Sequence, residues 1–331
     1  MAGTGSEGAA AMHTSLPRRQ AATRVTVLAF LLALLVAAVC GCQAGGGASP
    51  PPGSPDTPAG RADVLAVKID NVAPARPPTG LEKADLVYVE QVEAGLSRIL
   101  AVYSSAVPPV IGPVRSARET DLELLRQFDG PTLAYSGAQS ALQPSIEAAP
   151  LDAVPPSKAP NAYVRERGRP APHNLYLRPA ELPHKATGVN AAEAVGLRFA
   201  PAPDGGTPAD ARTVSYPSAR FTFTWSPGQQ KWLVTMDGKP SRTAAGDRLA
   251  AGTVLVQDVT LGPSRFRDRW GNTSPFTETV GSGSAVALRD GKAYDVTWKR
   301  DSAASATEYT TRDGRPMTFA RGQIWVVLVP G

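Results

Sequence analysis

Cysteine is nearly absent from this sequence, which has two cysteines in 331 residues, at positions 40 and 42. The rest of the chain therefore has no internal disulfide and no cysteine nucleophile. Histidine is scarce too: His173 and His184 are eleven residues apart and belong to no further cluster, which does not make a zinc site. The sequence predicts neither a metal nor a cofactor.

A strong charge of one sign is also lacking. The formal net charge is +5, and acidic and basic residues are interspersed. Nucleic-acid binding would need a clustered basic face, so no nucleic-acid partner is expected. The hydrophobic content of 42% is enough for real cores and excludes disorder throughout. A chain of this length can hold two ordinary domains.

The first 42 residues have the pattern of an export signal. Arginines precede the apolar run Val25–Val39, which is too short to span a bilayer comfortably. The next residues, Cys40-Gly41-Cys42, resemble the end of a bacterial lipobox, whose last cysteine becomes the lipidated first residue of the mature protein. A plain secretory signal and an uncleaved anchor are the alternatives. The twin arginine Arg18-Arg19 leaves open export in the folded form.

Residues 43–61 are rich in glycine, serine and proline and cannot bury a core. We interpret them as a flexible tether between a lipid on Cys42 and the folded part of the chain. The predicted location is the extracytoplasmic face of the cell membrane, with the membrane as a partner through the lipid anchor.

Residues 62–200 alternate between strand and helix patterns, which predicts a mixed α/β domain. Glycine in the connection between the second and third strands favours an antiparallel hairpin. The predicted elements are strands at Leu65–Asp70, Asp85–Val92, Arg98–Tyr103 and Pro131–Gly137, a helix from near Ala117, and a second helix at Ala138–Ala149.

Residues 201–211 are interpreted as a linker and residues 212–331 as a β-rich domain, a sandwich or a small barrel-like module. Asp290-Gly291 lies at the centre of the hairpin Ala285–Trp298, the strongest short hairpin signal in the chain. Gln323–Val329 is predicted as a buried terminal strand. The fold class is therefore α+β, with the strand-rich part at the C-terminus.

The stretch Ile111–Arg118 is the most informative motif. Ser116 and Glu119 have the spacing of a capping box, so a helix is expected to begin near Ala117. Arg115 and Arg118 flank that start, which already carries about half a positive charge from the peptide dipoles. Either an anionic ligand docks there or internal acids neutralise the arginines. The candidate acids are Glu90, Glu93 and Asp121.

The proline-rich stretch Pro150–Pro183 is unusually long for a loop in a globular chain, and such loops are usually functional or mobile. His173 lies in it, between Pro172 and Asn174. A loop histidine commonly hydrogen-bonds to the backbone. The alternative is a proton donor or a ligand contact.

Short motifs are spread over most of the predicted folded part of the chain. They are Ile69–Asn71, Ala75–Pro77, Gly80-Leu81, Ala84-Asp85, Tyr88–Glu90, Glu93–Gly95, Ser97-Arg98, Ile111–Arg118, Ala171–Tyr176, Gly281–Gly283, Thr297-Trp298 and Trp325–Pro330. Together they resemble the YerB-like bacterial lipoproteins, the family of the domain of unknown function 3048. The likeness covers nearly all of residues 62–330 and implies an exported lipoprotein with two domains and no assigned activity.

The order of an arginine beside a strand, a loop with proline and arginine, and a following helix is also similar to LytR-CpsA-Psr phosphotransferases. In that likeness Arg98 and Arg115 correspond to pyrophosphate-binding arginines. The chain departs from the Arg-Asp pair of that family, because Arg115 is followed by Ser116. Metal-bound diphosphate chemistry is therefore not implied.

Three functions follow as hypotheses. The favoured one is binding of an anionic cell-wall ligand, with recognition of its hydroxyl or amine groups by acidic and amide side chains. The second is a transferase or hydrolase of cell-wall precursors, with Glu90 or Glu93 as base and His173 as acid. The third is a structural adaptor that docks a protein partner, not identified by the sequence, through its β module. The expected ligand-binding residues are Asp70, Asn71, Glu90, Arg98, Arg115, Ser116, Arg118, His173 and Asn174.

Overall fold

The computed structural model describes residues 63–184, 187–267 and 273–331. The predicted signal peptide, the lipidation of Cys42 and the predicted tether lie outside the described residues. Within them are three α-helices: α1 (Glu119–Leu125), α2 (Gln143–Ala148) and α3 (Ala191–Ala194). None of the described helices is long and apolar enough to cross a membrane. Short 3-10 helices cover Ala73–Ala75, Leu81–Lys83, Glu93–Gly95, Ser140–Leu142, Pro160–Ala162 and Pro179–Glu181.

Strands dominate the described residues. In the first half they are β1 (Leu65–Asp70), β2 (Leu86–Gln91), β3 (Ser97–Tyr103), β4 (Thr132–Ala134), β5 (Asp152–Ala153), β6 (Tyr163–Arg165) and β7 (Leu175–Leu177). The second half has β8 (Thr207–Pro208), β9 (Ala211–Tyr216), β10 (Ala219–Ser226), β11 (Lys231–Met236), β12 (Lys239–Pro240), β13 (Ala250–Ala251), β14 (Thr253–Val259), β15 (Leu261–Arg267), β16 (Thr273–Thr277), β17 (Gly281–Arg289), β18 (Lys292–Arg300), β19 (Glu308–Thr311) and β20 (Ile324–Pro330).

One large sheet runs through both halves of the chain. Its strand order is β19-β18-β17-β14-β20-β2-β3-β1-β4-β5, with β8 also paired to β18. The last strand, β20, lies between β14 and β2 and is parallel to both. The chain terminus therefore joins the strands of residues 212–331 to those of residues 62–200.

A smaller sheet packs on one face of the large sheet. It has the order β12-β11-β10-β9, with β13 beside β11. Its buried side chains include Phe221 and Phe223, whose rings lie 6.4 and 5.8 Å from the ring of Trp325 in β20. The two layers form a sandwich, and its larger layer is built from both halves of the chain.

The other face of the large sheet is covered by the helices. Leu124 and Leu125 of α1 and Ile146 of α2 join a core cluster that includes Leu86 and Leu100. Strand β1 thus has apolar neighbours on both faces, because its even-numbered side chains point to the helices and its odd-numbered ones to the small sheet. This face of the sheet also carries the charged groups of the candidate site.

Several predicted elements are confirmed. The turn between β17 and β18 has Asp290 at φ 50° and Gly291 at φ 72°, the two positive angles of a type I′ hairpin. Strands β2 and β3 pair antiparallel. The helix expected near Ala117 begins instead at Glu119 and ends at Leu125. The helix expected from residue 138 begins as a 3-10 turn and becomes α-helical at Gln143.

We expect both halves to unfold together, because β20 is an interior strand of the shared sheet. Trp325→Ala should lower the free energy of unfolding by about 3–5 kcal/mol, as for other large-to-small changes in a core. Urea unfolding followed by tryptophan fluorescence and by far-UV circular dichroism should give the same midpoint with both probes in each protein, and that midpoint should be lower for the variant than for wild type. Thr224→Ala, at an exposed position of β10, is the control and should change stability by less than about 0.5 kcal/mol. Two separated transitions would contradict a single cooperative unit.

Candidate functional site

A row of charged side chains crosses three neighbouring strands on the helix-covered face. In the strand register Arg98 of β3 lies opposite Asp70 of β1 and opposite Glu90 of β2. Directly opposed residues of antiparallel strands point to the same face, so the three side chains form one row. Lys68 lies two residues before Asp70 and therefore on the same face.

The motif at residues 111–117 is an extended bridge between two strands. The N–H of Asp70 donates to the carbonyl of Pro113 at 2.8 Å, and the N–H of Arg115 donates to the carbonyl of Lys68 at 2.7 Å. On the other side, the N–H of Val114 donates to the carbonyl of Leu175 in β7 at 2.6 Å. This pairing fixes Arg115 beside the end of β1.

Close packing explains the glycine of this motif. A Cβ atom on Gly112 would lie 2.8 Å from the ring of Tyr176 and 3.0 Å from the carbonyl oxygen of Leu175. Any larger residue would push the bridge away from β7. Gly112 therefore lets the bridge that carries Arg115 approach the strand that follows His173.

His173 reaches the same carboxylate from the opposite loop. Its Nδ1 lies 2.8 Å from Oδ2 of Asp70. The loop is fixed by Arg169, which donates to the carbonyl oxygens of Ala75 and Pro77. Histidine and aspartate thus meet although they are 103 residues apart in sequence.

Asp70 is the centre of the cluster. Its side chain is 1% exposed, and Nε of Arg115 lies 3.2 Å from its Oδ2 while Nε of Arg98 lies 3.8 Å from its Oδ1. Neither arginine contact has hydrogen-bond geometry. Among the described residues, the buried atoms of the cluster without a hydrogen-bond partner are Asp70 Oδ1, Arg98 Nε and Nη1, Arg115 Nε and Arg118 Nε.

Arg98 is held in an unfavourable environment for a cation. The residue is 7% exposed. Burial and the neighbouring charges of Arg118 and Arg115 lower the pKa of Arg98 to about 10, although Asp70 and Glu93 oppose this effect. The guanidinium group is still protonated at neutral pH and is short of acceptors.

Arg118 pairs with Glu93 at the rim of the cluster. Its Nη2 donates to Glu93 Oε2 at 2.7 Å, and Ser274 donates to the other oxygen of the same carboxylate. Partial burial raises the pKa of Glu93, but these hydrogen bonds and the charge of Arg118 outweigh it and bring the pKa to about 2.

Glu93 also lines a cavity of about 580 Å³ between the β2–β3 turn and the β15–β16 hairpin. This volume is in the range typical of small-molecule sites. The described lining residues are Gln91, Val92, Glu93, Ala94, Gly95, Pro263, Thr273, Ser274 and Pro275. Glu93 therefore lies between the cavity and the arginines: it lines the cavity, accepts a hydrogen bond from Arg118, and its charge raises the pKa of Arg98.

Lys68 forms a separate buried triad with two acids. Its Nζ hydrogen-bonds to Glu90 and, at 2.6 Å, to Asp121, and the Lys68 side chain is 0% exposed. Burial raises the pKa of Glu90, and the positive charge of Lys68 only partly offsets this. Glu90 and Asp121, which could have neutralised the arginines, are therefore bound to a lysine instead.

The expected helix start is corrected by the structure. The N-cap is Arg118, and Asp121 accepts from the backbone N–H of Arg118 at 2.7 Å, so Asp121 takes the capping role predicted for Glu119. Glu119 accepts hydrogen bonds from Ser264 and Arg265 in β15. Ser116 lies two residues before the cap. A seven-residue helix capped by its own acid offers no separate anion site.

Two other predicted site residues are engaged within the protein. Asn71 donates to Ser97 Oγ at 2.9 Å and accepts from Arg76 at 3.3 Å. Asn174 accepts from Arg165 at 2.8 Å and donates to the carbonyl of Glu166 at 3.0 Å, which closes the loop between β6 and β7. These amides shape the loops around the cluster.

The structure thus brings Asp70, Arg98, Arg115 and His173 together, with Arg118 adjacent. It places Glu90 in the neighbouring triad and Asn71 and Asn174 in loop contacts. Lys68 was missed by sequence reasoning, although a lysine inside an apolar strand was a signal for a buried ion pair. Among the described residues, no group of three or more histidine, cysteine or acidic residues could hold a metal ion.

Two family models match the chain. The model described as the N-terminal domain of a protein of unknown function (DUF3048) matches residues 52–192. The model described as the C-terminal domain of the same family matches residues 212–326. Together the two matches cover most of the residues that form the sandwich.

Relatives and solved structures agree with these matches. The chain is 45% identical over 65 residues to a protein named putative lipoprotein YerB from Bacillus subtilis (strain 168), a match that covers 20% of this chain and 20% of that relative. The chain thus spans about a fifth of the length of the curated relative it matches. A crystal structure of the YerB protein from Bacillus subtilis has a TM-score of 0.67 at 21% identity and covers 84% of this chain and 94% of that one. At this identity the structural match shows a shared fold alone.

Glu93 should make stability depend on acid pH. Its folded-state pKa lies below the usual 4.5, so its contribution is present above about pH 4.5 and is lost as the pH falls to about 2. Melting temperatures measured across this range should fall less steeply for Glu93→Gln than for wild type. Glu181→Gln, at an exposed position, is the matched control. Identical slopes for Glu93→Gln and wild type would contradict a native Arg118–Glu93 pair.

Proposed function

The chain belongs to the DUF3048 family, and from that premise we propose that it is a lipid-anchored protein of the cell envelope that binds an anionic ligand. The binding site is the cluster of Arg98, Arg115 and Arg118 around Asp70. The ligand carries a phosphate or carboxylate group.

The anchoring part of the proposal is supported by the N-terminal sequence and by one relative. Cys42 is the last residue of the lipobox-like motif, which follows an apolar run that is preceded by arginines. The relative from Bacillus subtilis is named a putative lipoprotein. Lipidation at Cys42 would place the folded domain on the extracytoplasmic side of the membrane.

The observation that supports the binding proposal most strongly is that Arg98 is buried with hydrogen-bond donors that have no acceptor. A buried donor without an acceptor costs about 1–3 kcal/mol, and more when it is charged. Arg98 has two such donor atoms, and one more lies on each of Arg115 and Arg118. An anion between the three guanidinium groups would supply the missing acceptors through charge-assisted hydrogen bonds, each worth about 1.5–3 kcal/mol.

The net charge of the cluster is not by itself evidence for an anion, because equal numbers of basic and acidic side chains lie there. The four basic groups are Lys68, Arg98, Arg115 and Arg118, and the four acids are Asp70, Glu90, Glu93 and Asp121. However, two of the acids are hydrogen-bonded to Lys68, and burial favours the protonated form of Glu90. Of the four acids, Asp70 and Glu93 are therefore the ones that lie against the arginines, and Arg118 also donates to the carbonyls of Ser116 and Ala117.

The Asp70 oxygen that lacks a hydrogen bond restricts the chemistry of the ligand further. Oδ1 is buried and has no donor among the described residues. A carboxylate oxygen accepts hydrogen bonds, so a matching ligand presents a donor beside its anionic group. A phosphate ester with a neighbouring hydroxyl group, or a singly protonated phosphate, has both.

Replacing Arg98 should separate binding from stability. Arg98→Met keeps most of the apolar stem but removes the buried charge, so the melting temperature should stay the same or rise. Isothermal titration with inorganic pyrophosphate should show binding by wild type and roughly 10- to 100-fold weaker binding by the variant, which corresponds to the loss of one charge-assisted hydrogen bond.

Arg212→Met provides the control, because Arg212 is an exposed arginine on β9. It should bind pyrophosphate like wild type. Unfolding of Arg98→Met, or equal pyrophosphate affinity in wild type and Arg98→Met, would contradict the proposal. In the first case the arginines are structural, and in the second the ligand binds elsewhere.

A further inference from the structure

We propose that His173 is a catalytic residue, a general base that hydrolyses a phosphate ester held by Arg98 and Arg115, with Asp70 as its positioning residue. The inference rests on the proposed anion site and adds a reaction to it.

The hydrogen bond to Asp70 sets the chemical state of the imidazole. A carboxylate only accepts, so Nδ1 of His173 carries the proton in the 2.8 Å contact with Asp70. In the neutral ring the lone pair is then on Nε2, on the opposite side of the ring from Asp70. Because Asp70 is buried and held by the motif at 111–117, the direction of Nε2 is fixed by the fold.

The imidazole and the guanidinium groups converge on one carboxylate. His173 Nδ1 and Arg115 Nε lie 2.8 and 3.2 Å from the same oxygen, Oδ2, and Arg98 lies beside Oδ1. In the proposal the anion accepts hydrogen bonds from both arginines and extends along the histidine ring, with its phosphorus atom on the Nε2 side. The side chains of His173 and Arg115 are 19% and 26% exposed, so water can reach this side of the cluster.

The other candidate bases near the arginines are already engaged. Glu90 and Asp121 hydrogen-bond to Lys68, and Glu93 accepts from Arg118 and Ser274. This reverses the expected roles, in which Glu90 or Glu93 was the base and His173 the acid. A positioned base or acid contributes about 10²- to 10⁴-fold to a reaction rate.

The reaction can be written with all atoms accounted for. Water attacks the phosphorus atom, its proton passes to Nε2 of His173, and a new P–O bond forms. The P–O bond to the leaving group breaks, and its electron pair stays on the leaving oxygen. The leaving oxygen, on the opposite side of the phosphorus atom, takes a proton from solvent, and the imidazolium gives its proton back to solvent, so the products are a phosphate and an alcohol. Arg98 and Arg115 stabilise the charge that develops on the phosphoryl oxygens.

The test uses the full chain with three variants, two ester probes for hydrolysis and one probe for binding. The variants are His173→Gln, Asp70→Asn and Arg98→Met. Bis(p-nitrophenyl) phosphate and p-nitrophenyl phosphate report hydrolysis through released nitrophenolate, and pyrophosphate reports binding. Melting temperatures establish that each variant is folded.

His173→Gln should bind pyrophosphate within about threefold of wild type but lose at least about 100-fold in nitrophenolate release. Asp70→Asn should lower turnover and move the acid limb of the pH–rate profile, on which the base becomes protonated, to lower pH, because an amide does not stabilise the charged imidazole. Arg98→Met should bind pyrophosphate roughly 10- to 100-fold more weakly and should also lose turnover. Diethyl pyrocarbonate should modify His173 in wild type, and pyrophosphate should protect it.

Each failure points to a different claim. If wild type binds pyrophosphate but hydrolyses neither ester faster than His173→Gln, the catalytic role is overturned and the binding site stands. If pyrophosphate does not protect His173 from modification, the histidine is not beside the bound anion and the proposal is also overturned. If Arg98→Met binds pyrophosphate as wild type does, the binding proposal itself fails.

Discussion

The buried carboxylate of Asp70 is the interaction on which the candidate site depends. It is the common neighbour of Arg98, Arg115 and His173, which come from a strand, a bridging segment and a distant loop. The carboxylate has acceptor sites enough for all three groups, but the two guanidinium groups do not approach it with hydrogen-bond geometry. The histidine has the hydrogen bond, and the arginine donors facing Asp70 remain without acceptors. The ion pairs of the cluster therefore leave donors without acceptors, whereas buried donors and acceptors are usually matched, and this mismatch is the reason for proposing an external anion.

The second half of the chain supports the first half at this site. Strand β20 pairs with β2, which carries Glu90 into the row of charges. The β15–β16 hairpin reaches across α1: Ser264 donates to Glu119, and the N–H of Thr277 donates to Thr120 Oγ1 at 3.0 Å. Ser274 of the same hairpin binds Glu93, the partner of Arg118. The position of the arginines is thus a property of the whole sandwich.

Local patterns predicted the parts of the structure that depend on neighbouring residues. The hairpin at Asp290-Gly291 and the pairing of β2 with β3 could be read from turn residues and strand spacing. The motifs of the family resemblance contain Arg98, Arg115 and His173. These three side chains do lie together, although the reason is their shared carboxylate and not the start of a helix.

The features that the sequence did not predict depend on contacts between residues far apart in the chain. Two pairs at the same spacing, Ser116 with Glu119 and Arg118 with Asp121, compete for the helix start, and the tertiary contact of Glu119 with Ser264 decides between them. Lys68 and Glu90 lie in strands buried on both faces, where no alternation marks the polar side. Strand β20 pairs in parallel with β2, which lies more than two hundred residues earlier in the chain, and no local signal specifies this pairing.

In the proposed complex, an anion from outside the chain supplies the acceptors that the buried donors of Arg98 lack. The most direct measurement is an anomalous difference map from crystals of the folded domain soaked in selenate, a tetrahedral dianion with a strong anomalous signal. We expect a selenium peak with oxygen atoms within hydrogen-bonding distance of Arg98 and Arg115, close to the His173 ring. A map with no peak there, and with Arg98 hydrogen-bonded to the protein's own carboxylates, would contradict it.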